Sequence, residues 1–192
     1  MARLSDRTTH STHMIQVFRA KLHGLHVTGA DVDYHGSITL DPAHCRLAGI
    51  HPLEFVDVWN KSNGSRLRTY VIHGEEGSRC CVLNGAAARL CQPGDEVIIC
   101  ASEYCAPDRL YEAESKVVMF KKGTNEVDKV LRYDVSKGVE NNFEFKVVDA
   151  TSNELHPLQN VPPVDVHSLR RDLAQRGWEP TEIDQFCDSH FG

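Results

Sequence analysis

The chain has 192 residues, 41% of them hydrophobic and 25% charged, with a formal net charge of -6. That length holds one medium domain with extensions, and the acidic balance argues against a nucleic-acid binder, which needs clustered Lys and Arg. The apolar runs are far too short to span a bilayer, so no membrane role is expected.

Residues 1–13 read as a flexible N-terminal arm. They contain no apolar h-region, so no secretory signal is expected and the predicted address is cytoplasmic. Seven cysteines without a Cys-x-x-Cys pair are expected to be reduced and mostly buried thiols. From Met14 to His23 the pattern is that of a strand, continued in β-type residues by His26-Val27-Thr28 and punctuated by Gly29-Ala30-Asp31. Strict alternation places Arg19, Lys21 and His23 on one face.

Gly36-Ser37 then stands directly ahead of the run Ile38-Thr39-Leu40. No Gly-x-Ser-x-Gly elbow or triad surrounds it. Its chemistry is of another kind: a serine hydroxyl can attack the carbonyl of the residue before it, turning the amide into an ester. Glycine there removes the side chain that would block the approach. Elimination leaves dehydroalanine, which hydrolyses to a pyruvoyl group at the new N-terminus. The dipeptide alone decides little, because Gly64-Ser65 and Gly77-Ser78 repeat it and read as turns.

Asp41-Pro42 opens a short helix, with Asp as N-cap, that stops at Gly49. Phe55–Asn60 alternates as a strand, and Asn63-Gly64 is the strongest hairpin signal in the chain. Its return strand, Ser65 to Ile72, carries Arg66, Arg68 and Tyr70 on one face. Cys80–Leu83 is a buried strand running into the small residues Asn84-Gly85-Ala86-Ala87-Ala88. Pro93-Gly94-Asp95 turns into the buried strand Val97–Ala101. Many short strands with tight turns within one domain indicate a small β-barrel. His26, His44, His51 and His73 share no metal-ligand spacing, and no metal site is expected.

Taken together, Lys21-Leu22-His23, Tyr34-His35-Gly36-Ser37, Asn63-Gly64-Ser65-Arg66, Thr69-Tyr70, Gly77-Ser78, Asn84-Gly85-Ala86-Ala87-Ala88 and Pro93-Gly94-Asp95 resemble the pyruvoyl-dependent aspartate decarboxylase family. The resemblance covers about Met14 to Asp134 and becomes faint after Pro107. It implies a mainly β fold, a double-psi β-barrel with short helices. It also implies a homotetramer with active sites between subunits and self-cleavage between Gly36 and Ser37. Ser37 would become the covalent pyruvoyl cofactor, which forms a Schiff base with the amine of L-aspartate and accepts electrons as carbon dioxide leaves. Lys21 and Arg66 would hold the substrate carboxylates, and which cation takes which stays open. Tyr70 would be the proton donor to the carbanion, with His23 and Tyr34 lining the pocket. Asn84 would hydrogen-bond near the pyruvoyl group, and Gly85, Ala86 and Ala87 would let substrate meet backbone. Thr69 would stabilise the oxyanion of self-cleavage. Alternation puts Thr69 and Tyr70 on opposite faces, which a bulge or a strand end would reconcile.

Residues 135–192 are expected to be an extension that departs from the family. Phe143–Val148 alternates like an extra strand, and Val161-Pro162-Pro163 reads as a stiff linker. Asp165 caps a helix carrying Val166, Leu169 and Leu173, stopped by Gly177; Pro180-Thr181 starts a second with Ile183, Phe186 and Cys187. Two such helices cannot form a core alone. They dock on the barrel, dock on a partner, or form a free tail. A maturation or activator protein is a candidate partner. Against the reading as an aspartate decarboxylase stand a decarboxylase for glutamate or a methylated aspartate on the same barrel, and an uncleaved barrel without catalysis.

Overall fold

A computed structural model describes residues 13–138, 143–153 and 166–191. All of the expected arm but His13, the Val161-Pro162-Pro163 linker and the Asp165 cap lie outside the described residues.

The strands are β1 (Ile15–His26), β2 (Gly29–Asp31), β3 (Ser37–Leu40), β4 (Phe55–Asn60), β5 (Arg66–His73), β6 (Cys81–Asn84), β7 (Glu96–Cys105), β8 (Glu114–Phe120), β9 (Val127–Lys137) and β10 (Phe143–Asp149). They form one sheet in the order β10-β9-β8-β1-β7-β4-β5-β3-β6-β2. The architecture is mainly β, the double-psi β-barrel. Its pairings mix sense: β1 runs antiparallel to β7 but parallel to β8, and β3 runs parallel to β5 but antiparallel to β6. Alternation supplies the core, because every second strand residue points inward. Leu22, Ile38, Leu40, Val56, Val58, Val71, Leu83, Val97 and Ile99 are fully or almost fully buried there.

The helix α1 (Pro42–Ala48) begins at the Asp41 cap and ends at Gly49 in the left-handed conformation, as the sequence predicts. Asp41 does more than cap. Its buried carboxylate accepts the N–H groups of Ala43 at 2.8 Å, Gly77 at 3.1 Å and Arg79 at 2.7 Å. Burial pushes its pKa up, but the N–H groups of Arg79, Ala43 and Gly77 outweigh that and hold the carboxyl below its ordinary value. Asp41 thereby ties the end of β3 to the loop that leads into β6.

Strict alternation along β1 breaks at Arg19. The register with β7 passes from Phe18 opposite Ser102 to Ala20 opposite Ala101, a bulge that leaves Arg19 without a partner. Arg19 instead donates to the Gly49 carbonyl and pairs with Glu54, while Lys21 and His23 stay in phase. β10 pairs antiparallel with β9, so the strand expected at Phe143–Val148 joins the main sheet. The helices α2 (Val166–Gln175) and α3 (Pro180–Phe191) belong to a second compact unit. Within it Trp178 meets Phe186 edge to face, and Arg170 pairs with Asp184 and Asp188. Among the described residues no helix is long and apolar enough to cross a membrane.

Candidate active site

Three Gly-Ser junctions exist, and the structure treats one of them differently. Gly64 and Gly77 sit in turns, and Ser78 is exposed. Ser37 is 1% exposed. Its φ is +110° and that of Gly36 is +98°. A non-glycine residue in this region carries about 1–3 kcal/mol of backbone strain, placed at the peptide bond the sequence singles out. The Gly36 N–H closes a tight turn onto the Tyr34 carbonyl at 2.8 Å.

The register of β3 and β6 sets Ser37 opposite Asn84. Asn84, itself buried, uses its amide nitrogen twice, donating to Ser37 Oγ at 2.9 Å and Thr39 Oγ1 at 2.8 Å. Thr39 is a site residue that sequence reasoning missed. Its signal is the two-residue period that places it on the Ser37 face. After Asn84 the chain makes a 3-10 turn over Gly85–Arg89, with Gly85 at φ +62°. A Cβ on Gly85 would lie 2.8 Å from Gly36 Cα and N and 2.9 Å from the Tyr34 carbonyl oxygen. Backbone therefore packs on backbone at the junction, and only glycine fits.

These groups face a cavity of about 230 Å3 lined by Gly36, Ser37, Leu67, Arg68, Thr69, Asn84, Ala86, Ala87 and Leu90. The structure thus brings together Gly36, Ser37, Thr69, Asn84, Ala86 and Ala87, with Gly85 against Gly36. Thr69 and Tyr70 do point to opposite faces: β4 and β5 pair without a register shift, so no bulge intervenes. Thr69 is buried, whereas Tyr70 faces outward against the Phe55 ring, 6.1 Å between centroids.

The other predicted residues do not line this cavity in one chain. Tyr34 is 47% exposed, and its carbonyl rather than its ring meets the junction. Lys21 and Arg66 converge on Trp59: the Lys21 ammonium lies 5.9 Å from that ring centroid and the Arg66 guanidinium 5.4 Å. Neither cation makes an ion pair among the described residues, so both charges remain available to an anion. His23 shares the Lys21 face. Burial, then the charges of Lys61 and Lys21, lower its pKa, against the opposing pull of Glu96. Among the described residues no group of three or more His, Cys, Asp or Glu is placed to hold a metal ion. All seven cysteines are free thiols.

Fold and cavity together define a double-psi β-barrel with a strained, buried Gly-Ser junction. The aspartate decarboxylase family profile matches residues 13–128, and the chain belongs to that family. A protein of Paramagnetospirillum magneticum named aspartate 1-decarboxylase is 52% identical over 179 residues, covering 93% of this chain and 99% of its own. Relatives of the same name from Rhodospirillum centenum and Agrobacterium fabrum are 58% and 60% identical, covering 79% and 69% of this chain and 100% and 84% of theirs. An alignment over 179 of 192 residues necessarily runs through α2, so the stretch beyond Asp134 is largely shared with a relative.

Proposed function

We propose that the chain is a self-processing aspartate 1-decarboxylase. It converts L-aspartate to β-alanine and carbon dioxide with a pyruvoyl group made from Ser37. The observation that carries this is the buried Ser37 hydroxyl, held by Asn84 behind a glycine carbonyl in left-handed backbone, in a chain whose relatives are named aspartate 1-decarboxylase.

The residues at the junction fit such a group. Ser37 Oγ attacks the Gly36 carbonyl carbon, with no side chain on Gly36 to obstruct it. The C–N bond breaks as the C–O bond forms, and the nitrogen takes up the proton. Thr69, on the cavity wall, is the donor assigned to the charge that builds on the Gly36 oxygen. Loss of the Ser37 Cα proton expels the Gly36 carboxylate and leaves dehydroalanine. One water then enters and one ammonia leaves. Relief of the backbone strain at Ser37 favours the first step.

The pyruvoyl ketone supplies an electron sink for the pair left on the substrate Cα when carbon dioxide departs. Lys21 and Arg66 hold the two carboxylates, Arg66 by its planar fork and Lys21 as a point charge. Tyr70 returns a proton to Cα. Because one chain's cavity lacks Lys21, His23, Arg66 and Tyr70 in its lining, the reading includes a homotetramer whose active sites lie between subunits. Free thiols throughout support a reducing, cytoplasmic setting. Ser37→Ala tests the proposal. The variant is expected to stay uncut and to release no carbon dioxide from aspartate, and an active Ser37→Ala protein would end it.

A further inference from the structure

The bulge at Arg19 bears on Lys21, two residues along the chain. By inserting one residue, it brings Phe18 into phase with Lys21, which plain alternation would have put on the opposite face. The Lys21 ammonium lies 4.8 Å from the centroid of the Phe18 ring, within cation–π range. The Trp59 ring is a second aromatic neighbour of the same ammonium, 5.9 Å away at its centroid.

The bulge is fixed from three sides. Arg19 is drawn to Gly49 and Glu54. The carbonyl of Phe18 accepts a hydrogen bond from the hydroxyl of the buried Ser115 on β8 at 2.7 Å. The Phe18 ring meets Tyr133 on β9 edge to face, with centroids 5.4 Å apart and planes at 88°. Tyr133 in turn meets Phe145 on β10, at 5.4 Å and 80°. Beneath these rings Val117, Leu131 and Val147 form a small core of their own, against which Phe18 and Tyr133 pack. Both Tyr133 and Phe145 lie beyond the stretch matched by the family profile, which ends at residue 128.

We propose that Phe18 is a positioning residue that holds the Lys21 ammonium in place for the substrate carboxylate, with Tyr133 and Phe145 as its backing. This rests on the proposed role of Lys21. A lysine side chain has several rotatable bonds and a charge that is readily hydrated. A ring beneath the ammonium restricts those rotamers before substrate arrives, so less freedom is lost on binding. The strand added at β10 therefore acts on substrate affinity without touching substrate.

The test compares Phe18→Leu and Tyr133→Leu with the ring-keeping variants Phe18→Tyr and Tyr133→Phe, each confirmed by mass as cleaved. The leucine variants are expected to raise KM for aspartate about three- to tenfold with kcat changed less than about twofold, while the ring-keeping variants stay near wild type. In a Lys21→Ala background Phe18→Leu should add nothing further to KM. A second readout needs no activity: competitive acylation of lysines in the intact protein, read by peptide mass. Lys21 should label several-fold faster in Phe18→Leu than in wild type. Unchanged KM together with unchanged labelling overturns the proposal, as does a KM effect that persists undiminished without Lys21. If wild-type protein releases no carbon dioxide from aspartate, the decarboxylase reading fails, and the labelling still decides whether Phe18 positions Lys21.

Discussion

Gly85→Ala probes the junction without touching a reacting atom. The added methyl would sit 2.8 Å from Gly36 Cα and N and 2.9 Å from the Tyr34 oxygen. Ordinary carbon contacts lie at ~3.5–4.0 Å, so the Gly36-Ser37 segment must retreat by roughly 1 Å. Alanine in left-handed backbone costs about 1–2 kcal/mol and overpacking about 1–3 kcal/mol. Stability should therefore fall by about 2–5 kcal/mol. Displacing reacting atoms by that distance costs on the order of 100-fold in rate. Gly123→Ala is the control, since Gly123 has φ +77° but nothing within 4 Å of a built Cβ. It should show the backbone penalty alone and cleave normally. The assay is a time course of the two fragments on denaturing gels, beside thermal melts of both variants. Cleavage of Gly85→Ala at the wild-type rate, with a melting shift no larger than that of Gly123→Ala, would refute the packing argument.

Asn84→Ala removes two hydrogen bonds, to Ser37 and Thr39, each contributing about 0.5–1.5 kcal/mol. Self-cleavage should slow about tenfold or more, read as the uncut fraction over time; wild-type kinetics would show that Ser37 needs no such anchor. Tyr70→Phe should cleave normally yet decarboxylate poorly, so a variant blocked in cleavage alone would contradict the proton-donor role. His44 and His23 both have pKa values lowered first of all by burial. The unfolded chain then binds more protons than the folded one as pH falls through the ordinary value of 6.5, so stability falls with it and levels off below the folded pKa values. Melting temperatures should drop on going from about pH 8 to pH 5, less steeply in His44→Leu; a flat or rising profile would contradict this.

Local signals made much of this architecture readable. Asp41-Pro42 and Gly49 bracket α1 because capping is decided within one turn of chain. Asn63-Gly64 marked the β4–β5 hairpin because its backbone demands are local too. Pairing between distant strands was not readable. β7 extends to Cys105 because Ser102, Glu103 and Tyr104 find partners on β1, although their polar sequence gives no strand period. The Arg19 bulge is set by the same pairing, so alternation alone put Arg19 in phase with Lys21 and His23. At the site, Thr39 escaped notice since only the β3–β6 register puts it beside Asn84. The opposition of Thr69 and Tyr70, by contrast, followed from the strand period and needed no bulge.

The most direct test of the central claim is the intact mass of the purified protein under denaturing conditions, before and after incubation with cell extract. The account predicts two fragments meeting at Gly36 and Ser37. The larger should be lighter by one ammonia than a chain beginning with serine. A single uncut mass that persists after the extract, in protein that nonetheless decarboxylates aspartate, would contradict it.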